Sequence, residues 1–139
     1  MQLMFYFRDI FFHFMREDNE KKKTLVMGGS VKPERFANRA IIKLREYGHP
    51  VVSVGLKKGK VLDVDIQTGT PDFEDIHTVT LYLGPKNQPQ YYPYITSLKP
   101  KRIIFNPGTE NPEFFELAVK NNIQVVEYCT LILLDTNTF

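Results

Sequence analysis

The chain is poor in cysteine and has no long apolar run. Its one cysteine, Cys129, excludes an intrachain disulfide and a cysteine-built zinc site and fits a reducing compartment. No stretch approaches the roughly 20 apolar residues of a membrane helix. The start lacks the basic opening and small-residue cleavage site of a signal peptide, so the expected location is the cytoplasm. Excess charge of one sign is missing too: a net +2 gives no footprint for nucleic acid. The histidines, His13, His49 and His77, are scattered without metal-ligand spacing, and no metal is expected. Internal repeats and low-complexity tracts are absent.

What is present is a globular composition, 42% hydrophobic and 24% charged over 139 residues, enough for one domain with its own core. That domain is expected over residues 23–139. Residues 1–22 read as an aromatic extension and a charged linker. Met1 to Met15 are rich in Phe and Tyr, interrupted by Arg8, Asp9 and His13. Three readings of this segment stand: a helix packing on the domain, on a partner or on a second copy; an interfacial membrane segment; or sequence upstream of a start at Met15.

The organising stretch follows the linker. Thr24-Leu25-Val26-Met27 is a short apolar run, Gly28-Gly29-Ser30-Val31-Lys32-Pro33-Glu34-Arg35 a turn, and Ala37, Ala40, Ile41 and Leu44 recur at the spacing of one helical face, stopped by Gly48. Glycine lets a backbone take positive φ and approach a ligand closely. The first turn of a helix leaves N–H groups unpaired at the positive end of its dipole, a ready phosphate site. Ser30 adds a hydroxyl there, and Lys32, Arg35 and Arg39 add charge.

Further strands are expected at Val51–Val54, at Val61–Ile66 in short irregular form, and at Thr78–Leu83, Lys101–Phe105 and Ile123–Val126. Asn87 to Leu98 has helical spacing opposed by Pro89 and Pro93. Asn111-Pro112 is a helix start, with Phe114, Leu117, Ala118 and Asn121 on one face. Glu127 to Leu134 packs on the sheet, its type left open. Alternating strands and helices give a doubly wound, mainly parallel five-stranded α/β sheet with helices on both faces. Ligands bind such sheets beyond the carboxyl ends of the strands. Those ends carry Gly28-Gly29-Ser30, Gly55-Leu56-Lys57, Leu83-Gly84-Pro85 and Asn106-Pro107-Gly108.

The dinucleotide fingerprint is not met. Ser30 stands where its second glycine belongs, Pro33 where its third does, and the second strand runs into Lys57 and Lys58 instead of a carboxylate. A cation there favours a phosphorylated ribose, as in NADP or the 3′-phosphate of coenzyme A.

These residues resemble a family. The stretch from Thr24 to Arg35, with Asn38-Arg39 in the helix, is similar to the opening motif of stand-alone CoA-binding domain proteins, themselves similar to the start of the succinyl-CoA synthetase α subunit. Asn106-Pro107-Gly108-Thr109-Glu110-Asn111 and Glu127-Tyr128-Cys129-Thr130 look like that family's late motifs. The resemblance covers about residues 23–134. It implies a Rossmann-like domain that binds coenzyme A or an acyl-CoA. On it, Gly28, Gly29, Ser30 and Lys32 would cradle the phosphates, with Arg35, Asn38 and Arg39 flanking them. Gly55 and Lys57 would face the adenosine, while Tyr82, Pro107 and Gly108 would shape the cleft. Gly29 departs from the pattern, since many relatives carry a larger apolar residue there.

No carboxylate pair or Ser-His-Asp arrangement stands out. His49 and His77 fall at the amino ends of strands, and Cys129 has no evident base beside it. The expectation is a non-catalytic binding or regulatory module. An NADP- or CoA-dependent enzyme, and an interaction module with a vestigial cleft, stay open.

Overall fold

The structure, a computed structural model, describes residues 20–139. The aromatic segment and most of the charged linker, with the readings attached to them, lie outside the described residues.

Seven strands form one sheet in the order β3-β4-β2-β1-β5-β6-β7. They are β1 (Thr24–Met27), β2 (Val51–Val54), β3 (Gly59–Val61), β4 (Val64–Gln67), β5 (Thr78–Leu81), β6 (Arg102–Phe105) and β7 (Gln124–Glu127). Every pairing is parallel except that of β3 with β4. Among the described residues the α-helices are α1 (Phe36–Glu46), α2 (Tyr92–Ser97), α3 (Pro112–Lys120) and α4 (Thr130–Asp135).

The central strand explains the two-sided burial. All four residues of β1 are fully buried, as a parallel strand covered on both faces requires. Leu25 and Met27 join Val79, Leu81, Ile103, Phe105, Ile95 and Phe114 in the core under α2 and α3. Val26 points the other way, to Ala37, Ile41 and Leu44 of α1 and Leu134 of α4. Successive side chains of a strand alternate faces, so one apolar tetrapeptide anchors both layers.

The doubly wound parallel plan holds, but the five-stranded count is corrected to seven. Val61 to Ile66 is not one irregular strand; it is the heart of a hairpin. Val61 pairs with Val64 across Leu62-Asp63, and Leu62 takes φ 53°. A leucine at positive φ carries none of the Asn-Gly signal of such turns, which hid the reversal. β4 then adds in parallel to β2, while Val61, Val64 and Ile66 extend the α1-side core.

Elsewhere the differences are local. Asn87 to Leu98 resolves into two short 3-10 turns (Pro85–Asn87 and Pro89–Tyr91) and α2. The prolines sit at the starts of these elements, where a missing N–H costs nothing. The expected strand Thr78–Leu83 ends at Leu81, and the segment of open type contains α4. Asn111 caps α3 as expected, its side chain accepting from Phe114 N at 3.2 Å.

Candidate nucleotide-binding site

Strand order reverses between β1 and β5, which opens the crevice of a doubly wound sheet at their carboxyl ends. Gly28 and Tyr82 meet there. Gly28 has φ 97°, and a Cβ on it would lie 3.0 Å from the Tyr82 carbonyl oxygen. Tyr82 N donates to Met27 O at 2.8 Å, while Gly28 N and Gly29 N both donate to Val54 O, at 2.8 and 3.0 Å. The turn therefore lies flat across the end of β2.

Two further glycines make that approach possible by lacking a side chain. A Cβ on Gly29 would fall 2.1 Å from Ser53 Oγ, and one on Gly55 would fall 2.4 Å from Gly29 O. Ser53 thus fills the volume that a side chain at position 29 would take. Ser53 Oγ is held in place by donating to Val26 O at 2.9 Å.

Beyond the glycines the turn is fixed by its own polar groups. Ser30 Oγ accepts from Lys32 N at 3.1 Å, and buried Asn38 donates to Ser30 O at 2.9 Å. Asn38 thus positions the turn from inside α1. The helix begins at Phe36, with Arg35 as its N-cap residue; no side chain caps it and no acidic residue occupies its first turn. Its N-terminus consequently retains the partial positive charge that attracts anions. Lys32, Arg35 and Arg39 are exposed beside it, and none is in an ion pair among the described residues. Arg39 lies over the Phe36 ring at 5.3 Å. Lys57 is exposed on the link from β2 to β3, beyond Gly55.

On the other side of the crevice, Tyr82 turns its ring into the α1-side core, and its buried hydroxyl has no hydrogen-bond partner among the described residues. Burial is the main cause that raises its pKa above the usual phenol range, with the nearby Thr130 and Thr80 hydroxyls acting in the opposite sense. Pro107 and Gly108 are exposed after β6. Gly108 has φ 90° and donates its N–H to both oxygens of Glu110 at 3.0 Å.

Sequence reasoning missed the groups that hold these strand ends together. Asn106 is buried and donates to Thr80 Oγ1 at 2.7 Å and Leu81 O at 2.8 Å, while accepting from Thr130 N at 2.8 Å. The Thr80 and Thr130 hydroxyls meet at 2.8 Å. One asparagine thus joins β5, β6 and the start of α4. Fully buried Gln88 donates to Leu83 O and Thr109 O and accepts from Asn111. Nothing in Pro85-Lys86-Asn87-Gln88-Pro89 marks Gln88 as interior. Only the topology does.

A cavity of about 500 Å³ lies elsewhere, lined by Thr70, Asp72, Phe73, Glu74, Asp75, Tyr94, Ser97 and Leu98. Its three acidic residues oppose a polyphosphate, so the crevice at the glycine turn is the better anion site. No group of metal-binding side chains occurs among the described residues. No described helix is long and apolar enough to cross a membrane.

A sequence profile described as "CoA binding domain" matches residues 22–135. The chain belongs to that family. Among solved structures of similar fold, an uncharacterized protein is 48% identical, with 86% of this chain and 99% of that one covered and a TM-score of 0.84. A hypothetical protein from Pyrococcus horikoshii OT3 is 25% identical, with 91% of each chain covered and a TM-score of 0.79. A Thermus thermophilus protein, cell-free ID.343, shares the fold at 20% identity, with 91% and 97% covered and a TM-score of 0.79. No protein of curated function matches the chain. The CoA binding domain match spans the glycine turn, the crevice and the Asn106 cluster. Its start at residue 22 takes in Lys22, a buried residue whose backbone N–H donates to His49 Nδ1 at 3.0 Å.

Proposed function

We propose that the chain binds coenzyme A or an acyl-CoA in the crevice at the carboxyl ends of β1, β2, β5 and β6, as a binding or regulatory module without catalysis of its own. The observation that carries this is the pinned turn. Gly28 and Gly29 lie against Val54 and Gly55, and an uncapped helix follows with three cations that form no ion pair among the described residues, which suits a pyrophosphate. Ser30 and Lys32 face that pyrophosphate, Arg35 and Arg39 flank it, and Asn38 supports it from behind. Lys57, beyond Gly55, meets the ribose 3′-phosphate. Pro107, Gly108 and the Tyr82 backbone border the path of the pantetheine arm.

Isothermal calorimetry with CoA, dephospho-CoA and NADPH tests the reading. CoA binds most tightly, and loss of the 3′-phosphate weakens it because Lys57 loses its partner. Lys32→Ala and Arg35→Ala each weaken CoA by roughly 1–2 kcal/mol, about five- to thirtyfold. No measurable CoA binding, or full affinity in both variants, overturns the proposal. Tighter binding of NADPH than of CoA transfers the site to the nicotinamide cofactor.

A further inference from the structure

The two ends of the crevice carry opposite charge. Along the carboxyl edge of the sheet the strands follow in the order β2, β1, β5, β6 and β7. The exposed cations Lys57, Lys32, Arg35 and Arg39 stand past β2 and β1. Past β6 and β7 the sign changes: Glu110 follows β6, Glu113 lies in the first turn of α3, and Glu127 ends β7, all three exposed. Lys86, exposed on the 3-10 turn after β5, is a cation on the same edge and pairs with none of the three.

Glu110 is the carboxylate that the loop itself holds in place. At Gly108, where φ is 90°, the backbone N–H donates to the Glu110 carboxylate, both of whose oxygens lie 3.0 Å away. The same loop is fixed on its inner side. Thr109 O accepts from buried Gln88, which also donates to Leu83 O, and Thr109 Oγ1 donates to Asn106 O at 2.7 Å. The links after β5 and β6 thus form one wall, and Glu110 sets a negative charge on it. Glu110 forms no ion pair among the described residues, so its charge acts on whatever lies against that wall.

We propose that Glu110 selects the acyl group: it admits coenzyme A, or a thioester whose acyl chain is uncharged, and rejects one that ends in a carboxylate. The inference rests on the coenzyme A reading above and deepens it. In that reading the phosphates stay at the glycine turn while the pantetheine arm crosses β5 to Pro107 and Gly108. β6 lies two strand spacings from β1, about 10 Å, so an extended arm brings its sulfur to the wall at Gly108. A carboxylate carried a few bonds beyond the sulfur meets Glu110, with Glu113 and Glu127 farther along the same edge. Like charges brought that close repel, and a charge set against the wrong ligand is a means of specificity.

The test is isothermal calorimetry on the full chain near neutral pH with CoA, acetyl-CoA and succinyl-CoA. Acetyl-CoA binds within about threefold of CoA, and succinyl-CoA binds about tenfold more weakly than acetyl-CoA. Glu110→Gln keeps an oxygen that accepts from Gly108 N and loses the charge. In that variant succinyl-CoA comes within about threefold of acetyl-CoA, while CoA and acetyl-CoA keep their wild-type affinities within about twofold. Glu110→Ala narrows the gap in the same way, so the result does not hang on one variant.

No binding of CoA itself by the wild type removes the coenzyme A reading, and this inference with it. Where CoA binds, equal affinity for acetyl-CoA and succinyl-CoA overturns the selector alone. So does a gap that survives both Glu110 variants. A loss in Glu110→Gln shared by all three ligands would make the residue a brace for its loop and overturns it too. Tighter binding of succinyl-CoA than of acetyl-CoA, abolished in Lys86→Ala, would give the selection to Lys86 and has the same effect.

Discussion

Replacing Gly29 by alanine isolates the contact that pins the turn. Gly29 is not among the residues at positive φ, so the backbone accepts alanine and only space opposes it. The new Cβ would stand 2.1 Å from Ser53 Oγ, 3.3 Å from Ser53 Cβ and 3.5 Å from Ile66 Cγ1. Ser53 is fully buried, and its hydroxyl cannot swing away without abandoning Val26 O. Overpacking of this kind costs about 1–3 kcal/mol. Ser53→Ala alone loses one buried hydrogen bond, about 1 kcal/mol, yet it removes the atom that collides. In the double variant the closest remaining contact is the 3.3 Å one, which a shift of a few tenths of an ångström relieves.

The expected result is a favourable coupling of about 1–2 kcal/mol between the two substitutions, read from urea unfolding of the four proteins at unchanged m-value. The control is Gly28→Ala, whose Cβ would meet the Tyr82 backbone and whose φ is 97°; Ser53→Ala does not rescue it. Additivity of Gly29→Ala and Ser53→Ala within about 0.5 kcal/mol refutes the steric account.

Three other predictions follow from the polar interior. His49 is 6% exposed, and burial, with Lys21, Lys22, Arg102 and His77 adding to it, pushes its pKa down to about 4 from 6.5. The unfolded chain holds the extra proton between those values, so this stability is whole above pH 6.5 and is lost as pH falls toward 4, by up to about 3 kcal/mol. Urea midpoints across that window measure it, and His49→Gln reduces the slope, leaving the His77 share; an unchanged slope contradicts the assignment. Asn106→Ala strands Thr130 N and removes donors from Thr80 and Leu81 O, for a loss of roughly 3 kcal/mol in chemical denaturation; a loss under about 1 would mean the cluster is not structural. Tyr82→Phe discards a buried hydroxyl with no partner among the described residues, so thermal unfolding is unchanged or moves up by about 1 kcal/mol equivalent; a drop of that size would reveal a missed bond.

Legibility in the sequence followed the range of the forces involved. The β1 run, the glycine turn and the Asn111 cap are local patterns, set by neighbours a few residues apart, and they read directly. The β3–β4 hairpin did not, because Leu62 adopts its turn conformation under the pull of Val61, Val64 and Ile66 toward the core, against its own preference. The turn's glycines and cations read as a candidate phosphate cradle, and Asn38, which reads as a helix-face residue, acts as a brace for Ser30. Gln88 and Asn106 are polar residues in loop-like surroundings, and they become interior only because distant strands bring Leu83, Thr109 and Thr130 to them. Ser53 likewise looks like a polar interruption of an apolar strand. Its role depends on a glycine 24 positions earlier in the chain.

The fixing of the glycine turn to β2 has a thermodynamic consequence for any ligand that lands there. Ordering one residue's backbone costs about 1–2 kcal/mol, and for Gly28 and Gly29 that loss is absorbed when the sheet forms, through the bonds to Val54. A phosphate arriving at the turn meets donors already oriented, so little of its interaction energy is diverted to ordering the loop. Capture should be fast and show little conformational lag, and substitutions that loosen Gly29 from Ser53 or Gly55 should weaken binding entropically while leaving every phosphate contact chemically intact.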